Sequence, residues 1–266
     1  MKDLIKAVKE KKVILFAGAG LSMNLGLPSW QKLISFIAEE LHFDPNIFLT
    51  FGDYLNLAEY YHIKTGSIGP LRSWMDKEWH KNVNIATSDI HRLLVELDFP
   101  IIYTTNYDRW IERSFDHFAG KNTYTKVVDV NDIPAIENSK TQIIKFHGDF
   151  DKEDSIVLTE SHYFERLNFE SALDIKLRAD ALGKSLLFIG YSLTDINIRL
   201  LFYKLNKLWQ HNTLNAVRPK SYIFTTRPNP IQKEIFLKRG IHTLSSDKFD
   251  KPGEALLDFL QCLKKG

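Results

Sequence analysis

The chain has 266 residues, enough to bury a full core, and its 44% hydrophobic and 26% charged content is ordinary for a globular protein. With 35 basic against 33 acidic residues, the net charge of +2 gives no bulk reason to expect direct nucleic-acid or membrane binding. A single cysteine, Cys262, excludes a disulfide framework and a four-cysteine zinc site, and its helical neighbourhood predicts that it packs as a small apolar residue.

In chain order, Leu4, Ile5 and Val8 space like an amphipathic helix, and Asp3 and Glu10 interrupt the basic stretch, so the N-terminus does not read as a signal peptide. No run approaches the ~20 apolar residues that span a bilayer, and the expectation is a cytoplasmic protein. Val13-Ile14-Leu15-Phe16-Ala17 is apolar without interruption, as a strand covered on both faces would be. Gly18-Ala19-Gly20-Leu21-Ser22 then turns the chain, and Ser29 is placed to cap a helix over Trp30–Leu41. A strand, a glycine turn and a helix start together make a place to hold a phosphate. Met23 stands where the G-x-G-x-x-G dinucleotide fingerprint needs its third glycine, so the site is of another kind.

Residues 42–97 carry helical periods and aromatic stripes (Tyr60, Tyr61, Trp74, Trp79) and no convincing strand, which predicts a helical insertion with the aromatics mostly packing. A buried strand follows at 99–105, a strand read from its alternation at 123–130, and another strand at Thr141–Phe146. The first runs into Asn106-Tyr107-Asp108 and a helix 107–119, the last delivers His147-Gly148-Asp149. A short strand Ile156–Leu158 precedes a long helix Glu160–Leu182. Ser185–Ile189 is another apolar strand, ending in Gly190-Tyr191-Ser192-Leu193-Thr194-Asp195, where Ser192 and Asp195 stand three apart like a capping box. Strand Ser221–Thr225, helix Pro230–Arg239, strand Ile241–Leu244 and helix Gly253–Lys264 complete the alternation. The fold class is α/β: a Rossmann-like, mostly parallel sheet with helices on both faces, one domain over residues 1–266 with the insertion at about 42–97.

Four strand ends carry the turns GAGLS, TTNYD, FHGD and GYSLTD. In a doubly wound sheet ligands bind outside the carboxyl ends of strands, so these turns converge on one crevice. Singly, each has a plain structural reading: Asn106 and Asp108 as helix caps, His147 as a hydrogen-bonded strand-end residue.

In order, these residues resemble the sirtuins. Gly18–Ser22 matches that family's GAGxS turn and Gly26-Leu27-Pro28-Ser29-Trp30 its GIPDF stretch. Thr105-Asn106-Tyr107-Asp108 is similar to QNID, Phe146-His147-Gly148 to the catalytic His-Gly pair and Gly190–Leu193 to GTSL, across most of residues 12–245. The departures also inform. Where sirtuin deacylases carry a four-cysteine zinc module, this chain has an acidic loop (Asp149, Asp151, Glu153, Asp154), expected to be solvated and without metal. Gln31 stands for an arginine and Tyr191 for a threonine. A zinc-free domain of this kind looks like the bacterial branch that cleaves NAD+ in antiphage defence.

The resemblance implies NAD+ as substrate, no zinc, and rupture of the nicotinamide–ribose bond to give nicotinamide and ADP-ribose. Nicotinamide leaves neutral from a cationic bond, so the protein has to hold, orient and exclude water. The residues assigned are Ala19 and Gly20 backbone with Ser22 and Ser192 hydroxyls for the pyrophosphate; Asn106 for the ribose and attacking water; Asp108 for the carboxamide; and His147 as general base. Gly18, Pro28, Trp30 and Gly190 complete the cofactor-binding set, and Thr225, with Thr226 and the residues after Leu244, is assigned to the adenine end. Competing readings are a non-catalytic NAD or ADP-ribose sensor and a sirtuin-type deacylase. The chain contains no evident sensor domain, so activation is expected from homo-oligomerisation or from a separate partner such as an ATPase or an Argonaute-like protein.

Overall fold

The computed structural model describes residues 1–193, 195–210, 218–246 and 248–266. Helix α1 (Lys2–Lys9) leads into β1 (Val13–Ala17), all five residues of which are buried. Short α2 (Ala19–Met23) follows the glycine turn, then α3 (Trp30–Glu40), α4 (Pro45–Phe48), α5 (Tyr54–Thr65), α6 (Gly69–Trp79) and α7 (Asp89–Glu96). Next come β2 (Ile101–Thr104), α8 (Trp110–Phe118), β3 (Tyr124–Val127), β4 (Thr141–Lys145), α9 (Glu160–Glu165), α10 (Ala172–Gly183) and β5 (Ser185–Ile189). After them run α11 (Ile196–Gln210), β6 (Ser221–Thr225), α12 (Pro230–Lys238), β7 (Ile241–Ser245) and α13 (Pro252–Lys265).

Among the described residues, seven strands form one sheet in the order β3-β4-β2-β1-β5-β6-β7, and every pair is parallel. Alternate residues of β1 explain why its run is apolar throughout. Val13, Leu15 and Ala17 join a core under α1, α7, α8 and α13, whereas Ile14 and Phe16 join a second core under α10, α11 and α12. From β1 the chain first builds the β2 side and then returns to lay β5 against the other edge, so the sheet reverses order at β1/β5. A third core gathers α3, α4, α5 and α6 with Tyr107, Phe150, Ile156 and Leu158, while α7 packs against the sheet. Phe36 stacks on Trp74 at 4.0 Å within it.

Several sequence expectations change in detail. Ile156–Leu158 joins no strand pairing: Val157 donates one backbone hydrogen bond to the His147 carbonyl (2.9 Å), and the stretch buries its side chains as an extended loop. The long helix 160–182 is two helices, separated by a 3₁₀ turn at Arg166–Asn168 and by Phe169, which is buried at φ 56°. Ser29 begins α3 without a side-chain cap. Asp195, rather than Ser192, caps α11, accepting the amides of Asn197 (2.9 Å) and Ile198 (3.2 Å); Thr194 lies outside the described residues. Cys262 is exposed, because the buried stripe of α13 runs through Ala255, Leu256, Phe259, Leu260 and Leu263.

Candidate active site

The site's floor is a backbone crossing. The Gly18 amide donates to the Ile189 carbonyl (2.9 Å) and the Gly20 amide to the Gly190 carbonyl (2.8 Å), tying the turn after β1 to the turn after β5. A Cβ on Gly18 would lie 2.4 Å from the Gly190 oxygen, and one on Gly190, at φ +63°, would lie 2.3 Å from the Leu21 nitrogen. Glycine is needed here for close approach of two turns. The Gly20 amide, in the Ala19–Gly20 backbone assigned from sequence to a pyrophosphate, is therefore engaged by protein.

Asn106 closes the same turn from the β2 side. Its Nδ2 donates to the Gly18 carbonyl and to Ser22 Oγ, both at 3.1 Å, in a buried setting. Asp108 is buried and its Oδ1 accepts the Trp110 amide, the first of α8, at 3.1 Å. Beneath it, Lys145 at the end of β4 is fully buried and donates to the Asp108 carbonyl. Its Nζ lies 3.3 Å from Glu112 and 3.7 Å from Asp149. Burial pushes the Glu112 carboxyl up, against the pull of Lys145.

The acidic loop that follows is exposed at Asp151, Glu153 and Asp154, as expected, but Asp149 is buried. Asp151 meets Arg109 (2.6 Å) and Lys126 (2.7 Å), and Asp149 is buried facing Lys145 and Lys126. Arg109 and Lys126 hold the Asp151 carboxyl well below the usual range. Gly148 makes the bend possible: at φ +91° a Cβ would meet the Ser155 oxygen at 2.2 Å. Among the described residues no group of His, Cys, Asp and Glu is arranged to hold a metal.

His147 is 2% exposed. Tyr163 Oη of α9 stands 3.4 Å from its Nδ1, and Asp195 Oδ2 stands 3.4 Å from its Nε2. The Asp195 approach is within ion-pair distance, but its geometry leaves Nε2 without a hydrogen bond in this conformation. Burial pushes the imidazole down to about 4, while the Asp195 charge works in the opposite direction. Arg166 donates to the Phe146 carbonyl, stacks on that ring at 4.1 Å and pairs with Asp174 at 2.8 Å, fixing the backbone just before His147.

These side chains share a cavity of about 770 Å³ outside the carboxyl ends of β1, β2, β4 and β5. Of the residues expected from sequence, Ala19, Ser22, Pro28, Trp30, Asn106, Asp108, His147, Gly190 and Ser192 line it. Gly18 and Gly20 lie in its floor through the crossing just described. Thr225 is not among the lining residues; it ends β6, and its Oγ1 accepts the Arg227 amide at 3.3 Å. Sequence reasoning missed Tyr163 and the approach of Asp195 to His147, and it read the helical aromatics as mostly packing although Tyr54 and Trp79 also reach the cavity. Tyr54 stacks parallel to Trp30 at 6.2 Å. The motif GYSLTD held the signal for Asp195, but as a helix cap.

A fully parallel doubly wound sheet with polar and glycine turns meeting at its reversal point defines a nucleotide-binding type of α/β domain. Residues 100–244 match a family model described as a SIR2-like domain, and the chain belongs to that family. It is 31% identical over 219 residues to "NAD(+) hydrolase ThsA" of Bacillus cereus (strain MSX-D12), covering 80% of this chain and 44% of that protein. The protein of the same name from Enterococcus faecium is 32% identical over the same shares. "Defense-associated sirtuin 2" of Bacillus subtilis is 25% identical over 244 residues, covering 89% of this chain and 23% of that protein. The chain thus spans less than half the length of these relatives. A solved Sir2 homolog–NAD complex shares the fold, with a TM-score of 0.53 at 12% identity over 100% of this chain and 94% of that one.

Proposed function

We propose that this chain hydrolyses NAD+ at the nicotinamide–ribose bond, releasing nicotinamide and ADP-ribose, and acts as an NAD-depleting effector in bacterial antiphage defence. The observation that carries the reading is the gathering of Ser22, Asn106, Asp108 and His147, from three separate strand ends, around one cavity. Its volume of about 770 Å³ lies in the range of cofactor sites. The names of the relatives point the same way.

In this reading the C1′–N bond breaks with oxocarbenium character on the ribose, and nicotinamide leaves with the bonding pair. Water supplies the new C1′–O bond, and its proton passes to His147 directly or through a ribose hydroxyl. Burial keeps the imidazole neutral at pH 7, the form that has a lone pair for that proton. The Asn106 side chain, anchored by Gly18 and Ser22, sets the ribose pocket, and Asp108 faces the carboxamide. The Ala19 backbone with the Ser22 and Ser192 hydroxyls holds the pyrophosphate, and Pro28, Trp30 and Gly190 complete the walls. Residues 1–266 act as one domain, working in the cytoplasm as a homo-oligomer or switched on by a separate partner protein.

Mass spectrometry of NAD+, nicotinamide and ADP-ribose decides the matter. His147→Ala is expected to lose at least about 100-fold in turnover while keeping its melting transition. Full activity in that variant removes His147 from the chemistry, and intact NAD+ at every protein concentration removes activation by self-association.

A further inference from the structure

His147 has both ring nitrogens facing protein groups, and the hydrolysis mechanism uses only one of them. Asp195 is built to be fixed. Oδ1 accepts two amides of the first turn of α11, and Oδ2 lies 3.4 Å from His147 Nε2 inside the cavity, near enough for a small turn of the ring to make the hydrogen bond. A carboxylate held by backbone amides loses little further freedom in orienting a partner. No lysine or arginine among the described residues forms an ion pair with it.

We propose that Asp195 is a positioning residue for His147: it keeps the ring proton on Nε2, directs the Nδ1 lone pair to accept the proton released in the reaction, and stabilises the imidazolium that results. This rests on the NAD+ hydrolase reading for its reaction, though not for the contact itself. The proton balance is simple. Neutral His147 carries one proton on Nε2, the water or ribose hydroxyl gives one to Nδ1, and the cation then faces the Asp195 carboxylate. Tyr163 Oη, 3.4 Å from Nδ1, marks the side from which that proton arrives. The other charged groups acting on the ring are Arg166, which opposes protonation, and Asp174, which favours it. Tyr191, Tyr163 and Tyr107 surround Asp195, and burial together with its charge keeps all three phenols neutral. The pair fits the logic by which an acid orients a histidine base on unrelated folds, with Asp195 here partly buried.

The test uses Asp195→Asn, which keeps a good helix cap but removes the charge. The expected result is a fall in kcat of about 100-fold with KM within about threefold, and an acid limb of the pH–rate profile moved to lower pH. Nitrogen-15 spectra of the His147 ring at pH 7 should show the Nε2–H tautomer in the parent protein and a mixture or the opposite tautomer in the variant. Unchanged kcat with unchanged ring nitrogens overturns the proposal, as does an equal loss of folded protein and activity without any change of tautomer. A parent protein that leaves NAD+ intact, alone and with its activating partner, overturns the hydrolase reading alone, and the ring spectra then still decide whether Asp195 holds His147.

Discussion

Gly190 shows how little room a single residue has at this site. Its φ of +63°, and the 2.3 Å that would separate an added Cβ from the Leu21 nitrogen, make any side chain a double conflict, strained in backbone and clashing with backbone. Gly190→Ala is expected to cost several kcal/mol, on the order of the larger single-residue effects, and to lower the urea midpoint with the slope unchanged. Two buried histidines act through pH instead. His91 and His147 are both depressed from 6.5 to about 4, chiefly by burial, so the unfolded chain takes up protons before the folded one does. The stability tied to their neutral forms is complete above pH 6.5 and is lost as the pH falls toward 4, at roughly 1.4 kcal/mol per pH unit for each. Urea titrations at pH 7.5, 6.0 and 5.0 should show this decline. His91→Gln should flatten it without touching the cavity, which His91 does not line.

At the scale of elements, the end of β4 is stapled to α8 through Lys145, Glu112 and the Asp108 carbonyl. Lys145→Met fills the same space but leaves Glu112 and Asp149 facing one another without their buried cation. The expected loss is about 3–5 kcal/mol, read from chemical unfolding, with partial recovery when Glu112 is also made Gln. Element by element, the sheet was legible in the sequence because its central strands are buried on both faces and therefore read as unbroken apolar runs. The break at Phe169 was not, since neither glycine nor proline marks it and burial of the ring holds the left-handed residue in place. Asn106, Asp108 and His147 were legible as strand-end polar residues. The pairing of His147 with Asp195 was not, because it depends on how far apart the ends of β4 and β5 come to lie.

For the whole molecule, the third core of α3 to α6 stands over the strand ends and contributes Trp30, Tyr54 and Trp79 to the cavity wall. Any assembly that shifts these helices changes access to His147. If activation comes from self-association, specific NAD+ turnover should rise with protein concentration, and light scattering over the same range should show growth in mass. Constant specific activity across a thousandfold dilution would separate turnover from assembly.

The crossing of Gly18, Gly20 and Gly190 also sets an order of events during synthesis. β1 pairs residue for residue with β5, from Val13↔Ser185 to Ala17↔Ile189, although most of the chain lies between them. Contacts so distant along a chain form late, after much entropy has been lost in closing the loop. A growing chain already carries Asn106, Asp108 and His147 long before it carries Gly190, yet it has nothing to seal the floor beneath them. The ribosome therefore releases the polar groups of the pocket first and the turn that closes its floor last.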